Sequence, residues 1–138
     1  KKASAHYGNN SCHFGKCCDA ITENNQYCYR ANCMETTRQL VKKLNIPEGK
    51  YTSTFQSRLD DAWLKPYSDK VIEDLAKLGA KKLLVFSPAF VADCLETIHE
   101  IGTEYNEIFK EHGGESVTLV KSLNDGDVWV DAIKNIIA

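Results

Sequence analysis

Five glutamates, Glu96, Glu100, Glu104, Glu107 and Glu111, recur at intervals of three and four residues. On a helix they fall within roughly 80° of one another. Like charges four residues apart oppose helix formation by about 0.2–0.5 kcal/mol per pair. A row that works against its own helix is therefore either a solvated face or a site that needs negative charge. Carboxylates suit weak, exchangeable binding of a metal and the acceptance of protons, and they release a metal more readily than thiolates do. Crowding among them should hold some of their pKa values up. The opposite face carries Ile98, Ile101, Tyr105, Ile108 and Phe109, an ordinary core stripe. His99 and His112 read as structural histidines rather than ligands.

A second group is the cysteines. Five of six fall between residues 12 and 33, spaced Cys12-x4-Cys17-Cys18-x9-Cys28-x4-Cys33. The paired C-x2-C knuckles of common zinc folds are missing from this pattern, so zinc is not signposted. Four thiolates can hold a [2Fe–2S] cluster. Free thiols or disulfides are the plainer alternative. Because the rest of the chain reads as a domain with its own core, a metal or cluster in a reducing compartment is favoured over a disulfide-stapled scaffold.

The elements that must position these groups alternate between helix and strand. Residues 1–33 are polar, turn-rich and loop-like, and the α/β domain is expected over residues 34–138. A helix is predicted over Cys33–Asn45, with Met34, Thr37, Leu40, Val41 and Leu44 on one face. Tyr51–Phe55 reads as a strand and residues 58–65 as a loop containing Trp63. Tyr67–Leu78 reads as a helix capped by Ser68 and stopped by Gly79. Lys82–Ser87 is continuously apolar from Leu83 to Phe86, as a central parallel strand would be. The glutamate helix is predicted over Val91–His112, a strand over Val117–Val120, and a last amphipathic helix over Val128–Ile137. This alternation predicts a parallel sheet flanked by helices, a three-layer Rossmann-like arrangement. Ligands of such sheets lie beyond the carboxyl ends of the strands. Three segments fall there: Gln56-Ser57-Arg58 with Trp63, Pro88-Ala89-Phe90 with Asp93, and Ser122-Leu123-Asn124.

The 138 residues suit one ordinary domain, with 43% hydrophobic and 26% charged residues and a net charge of −2. Basic residues do not cluster, so nucleic-acid binding has no electrostatic footprint. The longest apolar runs are too short to cross a bilayer, and no secretory signal is visible. The chain begins at Lys1-Lys2 without an initiator Met, as a fragment or processed form would.

Several motifs then coincide in order. Phe55-Gln56-Ser57-Arg58, Trp63-Leu64-Lys65-Pro66-Tyr67-Ser68-Asp69, the run from Pro88 to Thr97, and Ser122-Leu123-Asn124 together resemble the C-terminal half of ferrochelatase. Cys28-Tyr29-Arg30 and Cys33 ahead of a helix resemble the bacterial forms with an internal cysteine group. The resemblance implies a chelatase-like α/β fold, incomplete as the second domain of a two-domain enzyme. It implies insertion of Fe2+ into protoporphyrin IX, the last step of heme biosynthesis. Glu96 then stands at the family's active-site glutamate and Asp93 at the helix start as an orienting residue. Glu96, Glu100 and Glu104 form an iron path, and Trp63 and Phe90 line the macrocycle, while Glu107 and Glu111 fall back to surface. A [2Fe–2S] cluster would take four of Cys12, Cys17, Cys18, Cys28 and Cys33: Cys12, Cys28, Cys33 and one of the adjacent pair.

The departures are equally specific. The family's histidine-bearing strand and N-terminal domain do not lie in these residues, and neither His6 nor His13 sits in that motif. The N-terminal domain of the same enzyme is therefore an expected partner, and 1–138 alone is expected to be inactive. Cys94 stands where many members have histidine. The expected location is cytoplasmic, with peripheral membrane association left open. Two other readings remain: a chelatase for cobalt or another tetrapyrrole, and a non-catalytic Fe–S or zinc module.

Overall fold

The computed structural model describes residues 16–138. His6, Cys12 and His13 lie outside the described residues. The chain divides between Ser53 and Thr54 into two compact units.

In the first unit, Asn25 organises the turns that follow the cysteine pair. Its side-chain amide donates to the carbonyls of Cys17 (2.5 Å) and Ala20 (2.8 Å) and accepts from the Thr22 N–H. Helix α1 spans Tyr29–Leu44. It begins four residues before the predicted start, so Cys28 is its N-cap and Cys33 lies inside it. The early turn carries no apolar period to announce it, yet Ala31 is fully buried there. The helix ends at Asn45, which takes the left-handed conformation (φ +52°), with Lys42 and Lys43 favourably placed in the last turn.

In the second unit the strand expected over Tyr51–Phe55 is reduced to one parallel bridge, Phe55 with Tyr67. Phe55 N–H donates to the Pro66 carbonyl and its own carbonyl accepts from Ser68 N–H. Helix α2 spans Ser68–Lys77. The Ser68 hydroxyl does not cap it but donates to Thr54 Oγ1 at 2.8 Å. Strands β1 (Lys82–Val85) and β2 (Ser116–Leu119) pair in parallel, Lys82 opposite Ser116 through Val85 opposite Leu119. Between them runs one helical rod: a π-helix over Glu96–Glu104, continued by α3 over Tyr105–Glu111. Helix α4 (Asp127–Ile137) follows β2.

The core joins Ile72 and Ala76 of α2, Ile101 of the π-helix, Tyr105 and Phe109 of α3, and Val117 of β2. Full burial of side chains such as Ile101 and Phe109 stabilises by about 1.5–3 kcal/mol each. Asn106 pins the rod to the sheet by accepting the Val117 N–H at 2.9 Å. The α/β class with a parallel sheet is thus as expected. The sheet has two strands among the described residues, and Leu84 of β1 is 73% exposed, so the apolar run does not mark a strand covered on both faces.

Candidate functional site

The glutamate helix starts later than its sequence suggests. Ser87–Cys94 forms a loop, and the first turns that follow are wide, with N–H groups bonding five residues back, as Tyr105 N–H does to the Glu100 carbonyl. Pi-helical turns are uncommon and tend to occur at functional sites. The widening changes which residues share a face. Thr97, Ile101, Tyr105 and Phe109, spaced strictly by four, are all at most 5% exposed. Ile98, expected in the core, is turned outward and 58% exposed. The row immediately before the buried one is Glu96, Glu100 and Glu104.

These three carboxylates meet different surroundings. Glu100 is half-buried and saturated. One oxygen, Oε1, accepts from Ser57 N–H (2.7 Å) and the Tyr105 hydroxyl (2.5 Å). The other, Oε2, accepts from Ser57 Oγ (2.7 Å) and Gln56 Nε2 (3.3 Å). Burial, and then the adjacent Glu100 carboxylate, push the Tyr105 phenol well above its usual range, so it remains a donor. Ser57 holds φ +58°, a left-handed conformation that costs a non-glycine residue on the order of 1–3 kcal/mol. Gln56 ties the corner to its surroundings. Its Nε2 donates to the Glu96 carbonyl (2.8 Å), its Oε1 accepts from Ser87 Oγ (2.8 Å), and its carbonyl accepts from Trp63 Nε1 (2.9 Å).

Glu96 is exposed. Its own backbone N–H and the Cys94 thiol hold its carboxyl below the usual carboxylate range, opposite to the rise that crowding suggested. The rise fails for Glu96 because Glu100 turns into its four donors. Glu104 is exposed and lies 3.3 Å from His99 Nε2, again five residues apart. Glu107 and Glu111 are exposed.

Asp93 precedes the helix and clamps it to the loop after β2. Its carboxylate accepts from Ser122 N–H (3.0 Å) and Asn124 Nδ2 (2.9 Å), and its N–H donates to Asn124 Oδ1 (2.8 Å). The Asn124 side chain and then Ser122 hold the Asp93 carboxyl below its usual range. Thr97, fully buried, accepts from Cys94 N–H through its hydroxyl and so closes the helix start. Phe90 and Trp63 are half-buried on their loops. Sequence reading placed the Gln56, Ser57, Ser122 and Asn124 segments on the rim but gave their side chains no role; the short polar side chains at the bend were the available signal. The Tyr105 ring fills the expected core stripe, and its hydroxyl adds the bond to Glu100 that periodicity does not announce.

Among the described residues Cys18, Cys28 and Cys33 carry thiols outside any disulfide, Cys18 is buried, and Cys17 beside it is half-buried. Burial raises the Cys18 and Cys33 thiols, which favours the protonated form. Among the described residues no three His, Cys, Asp or Glu side chains gather as a metal-holding set. The described side chains as they stand therefore do not form a cluster cradle, and Cys12 lies outside them.

A family profile described as Ferrochelatase matches residues 15–138. A curated protein from Pseudomonas putida, named Ferrochelatase, is 49% identical over 116 residues, covering 83% of this chain and 34% of the relative. One of the same name from Pseudomonas entomophila is 46% identical over 125 residues, 89% of this chain and 37% of the relative. Another from Coxiella burnetii is 47% identical over 117 residues, 84% of this chain and 33% of the relative. The chain spans about a third of the length of these relatives.

Proposed function

Because this chain belongs to the ferrochelatase family, we propose that it is the C-terminal portion of an enzyme that inserts Fe2+ into protoporphyrin IX to complete heme. In that reaction two pyrrole N–H protons leave, the macrocycle bends to offer a lone pair, and iron, the substrate, sheds water. Glu96 is the residue proposed to meet the reacting atoms. It accepts or relays a pyrrole proton and, as a carboxylate at neutral pH, attracts the metal. Glu104 extends the negative face along which iron travels. Asp93 holds the start of the helix against the Ser122–Asn124 loop, and Trp63 and Phe90 offer the flat apolar walls a macrocycle needs. The observation that carries this reading is the exposed Glu96 on the first wide turn, its carboxyl held below the usual range and its carbonyl bonded by Gln56 from the bend after the Phe55 bridge.

In the longer protein that bears this segment, Glu96→Gln is expected to lower the rate of iron insertion by about 100-fold or more, followed as loss of porphyrin fluorescence. An unchanged rate would favour a non-catalytic module. Faster insertion of Co2+ than Fe2+, or of a different tetrapyrrole, would favour the cobalt or related chelatase.

A [2Fe–2S] cluster on Cys12, Cys28, Cys33 and one of Cys17 or Cys18 is supported by the cysteine count and the bacterial resemblance, and no step of insertion passes through it. Visible absorption of anaerobically purified protein tests it, and a colourless, zinc-containing sample sinks it. A cysteine-rich segment preceding the α/β domain fits this division of labour. No helix among the described residues is long and apolar enough to cross a membrane. The proposed location is the cytoplasm, with any membrane association peripheral.

A further inference from the structure

We propose that Glu100, Tyr105 and Ser57 form a latch that holds the wide register of the π-helix, making Glu100 a positioning residue instead of a metal ligand. The latch stands on hydrogen-bond geometry alone; its consequence for iron rests on the function proposed above.

In an α-helix, residues five apart lie about 140° round the axis from each other. Their side chains then point to different faces. Here Tyr105 and Glu100 are joined twice, by the backbone bond from Tyr105 N–H to the Glu100 carbonyl and by the side-chain bond from the Tyr105 hydroxyl to Glu100 Oε1 (2.5 Å). The wide turn makes the second bond possible, and the second bond in turn favours the wide turn. Ser57 closes the latch from outside the helix. Its left-handed backbone (φ +58°) aims both its N–H and its hydroxyl at Glu100, each at 2.7 Å. Gln56 from the same bend donates to the Glu96 carbonyl (2.8 Å), one turn earlier.

A carboxylate offers about four lone-pair sites, and all four of Glu100 are taken. A metal reaching Glu100 would have to displace donors that Glu96 and Glu104 do not carry. Relaxation of one wide turn to α-helical register swings Glu96 by about 100° relative to Glu104. The latch thus fixes the angle at which the two exposed carboxylates stand to each other.

The test uses the longer protein that bears this segment, with Tyr105→Phe, Ser57→Ala, Glu100→Gln and the Tyr105→Phe/Glu100→Gln double variant. Tyr105→Phe keeps the buried ring, so it and Ser57→Ala carry the test should Glu100→Gln not fold. The latch predicts that each single variant lowers kcat about tenfold with KM for Fe2+ changed by less than about twofold, and that the double is no worse than the poorer single. It also predicts faster amide hydrogen exchange at Tyr105 in each. A silent Tyr105→Phe together with a KM for Fe2+ raised about tenfold or more in Glu100→Gln would make Glu100 a ligand and overturn the proposal. If the unsubstituted protein inserts no iron, the functional reading fails separately, and exchange at Tyr105 decides the latch: faster in the variants supports it, unchanged overturns it.

Discussion

Glu96 and Asp93 both have carboxyl groups held below their ordinary range, by neighbours that differ in kind. For Glu96 the donors are its own N–H and the Cys94 thiol. The group therefore ionises at lower pH than an ordinary glutamate, whose pKa is about 4.3. The prediction is that any acidic decline of kcat/KM above about pH 5 persists in Cys94→Ala, because Glu96 does not titrate there. A decline that moves with this substitution would tie it to Glu96 instead. For Asp93 the donors belong to Asn124 and Ser122, so depression is a folding linkage. Its stabilisation is present above the unfolded pKa of about 3.9 and is lost as pH falls through the folded value. Asp93→Asn should lower the thermal midpoint at pH 7 and shrink the difference between pH 7 and pH 3; equal midpoints in both proteins at both pH values would contradict this. At this scale the sequence made Glu96 and Asp93 visible through their motif. Ser57 and Gln56 stay without roles because the groups their side chains meet are 31 to 44 residues away, beyond the reach of any local pattern.

The helical rod shows what periodicity can and cannot tell. Its existence was legible because Ile101, Tyr105 and Phe109 also fit an α-helical stripe. Its wide register was not, since a period read at 100° per residue assigns Ile98 to the core, whereas a strict repeat of four places Thr97 there. Where the rod ends, the chain turns so tightly that a Cβ on Gly114 would lie 2.2 Å from the ring of Phe109, which is fully buried. Gly114→Ala should therefore destabilise by about 1–3 kcal/mol through overpacking, read as a lower denaturant midpoint with an unchanged slope. An unchanged midpoint would mean that the turn, rather than the ring, yields at no cost. On α2, Glu73 receives Lys77 and Lys70, which press its carboxyl down to about 2. Its contribution is present above an ordinary pKa of about 4.3 and disappears as pH falls towards 2, so Glu73→Gln should flatten the acid limb of stability in that window. An acid limb as steep as that of the unsubstituted protein would show the pair to be inert, as many exposed pairs are.

For the chain as a whole, alternation of helix and strand was enough to predict a parallel α/β arrangement, while continuous apolarity overstated how fully β1 is covered. Leu84 lies on an open face, and α4 buries none of its residues. An apolar run records what a strand can bury, but not which part of a protein does the burying. The same distinction governs function. Both described histidines are engaged away from Glu96: His112 Nδ1 meets the Ile108 carbonyl at 2.8 Å, and His99 stands by Glu104. In the reaction proposed above two pyrrole protons must find acceptors, and a chain spanning 34% of its relative from Pseudomonas putida need not hold every group of such a site. We therefore expect residues 1–138 alone to convert protoporphyrin IX and Fe2+ no faster than buffer, while the longer protein does so with turnover. The comparison is made anaerobically at equal molar protein, following porphyrin fluorescence. Turnover by 1–138 alone would show that Glu96, Glu104 and the latch beneath them suffice for the chemistry.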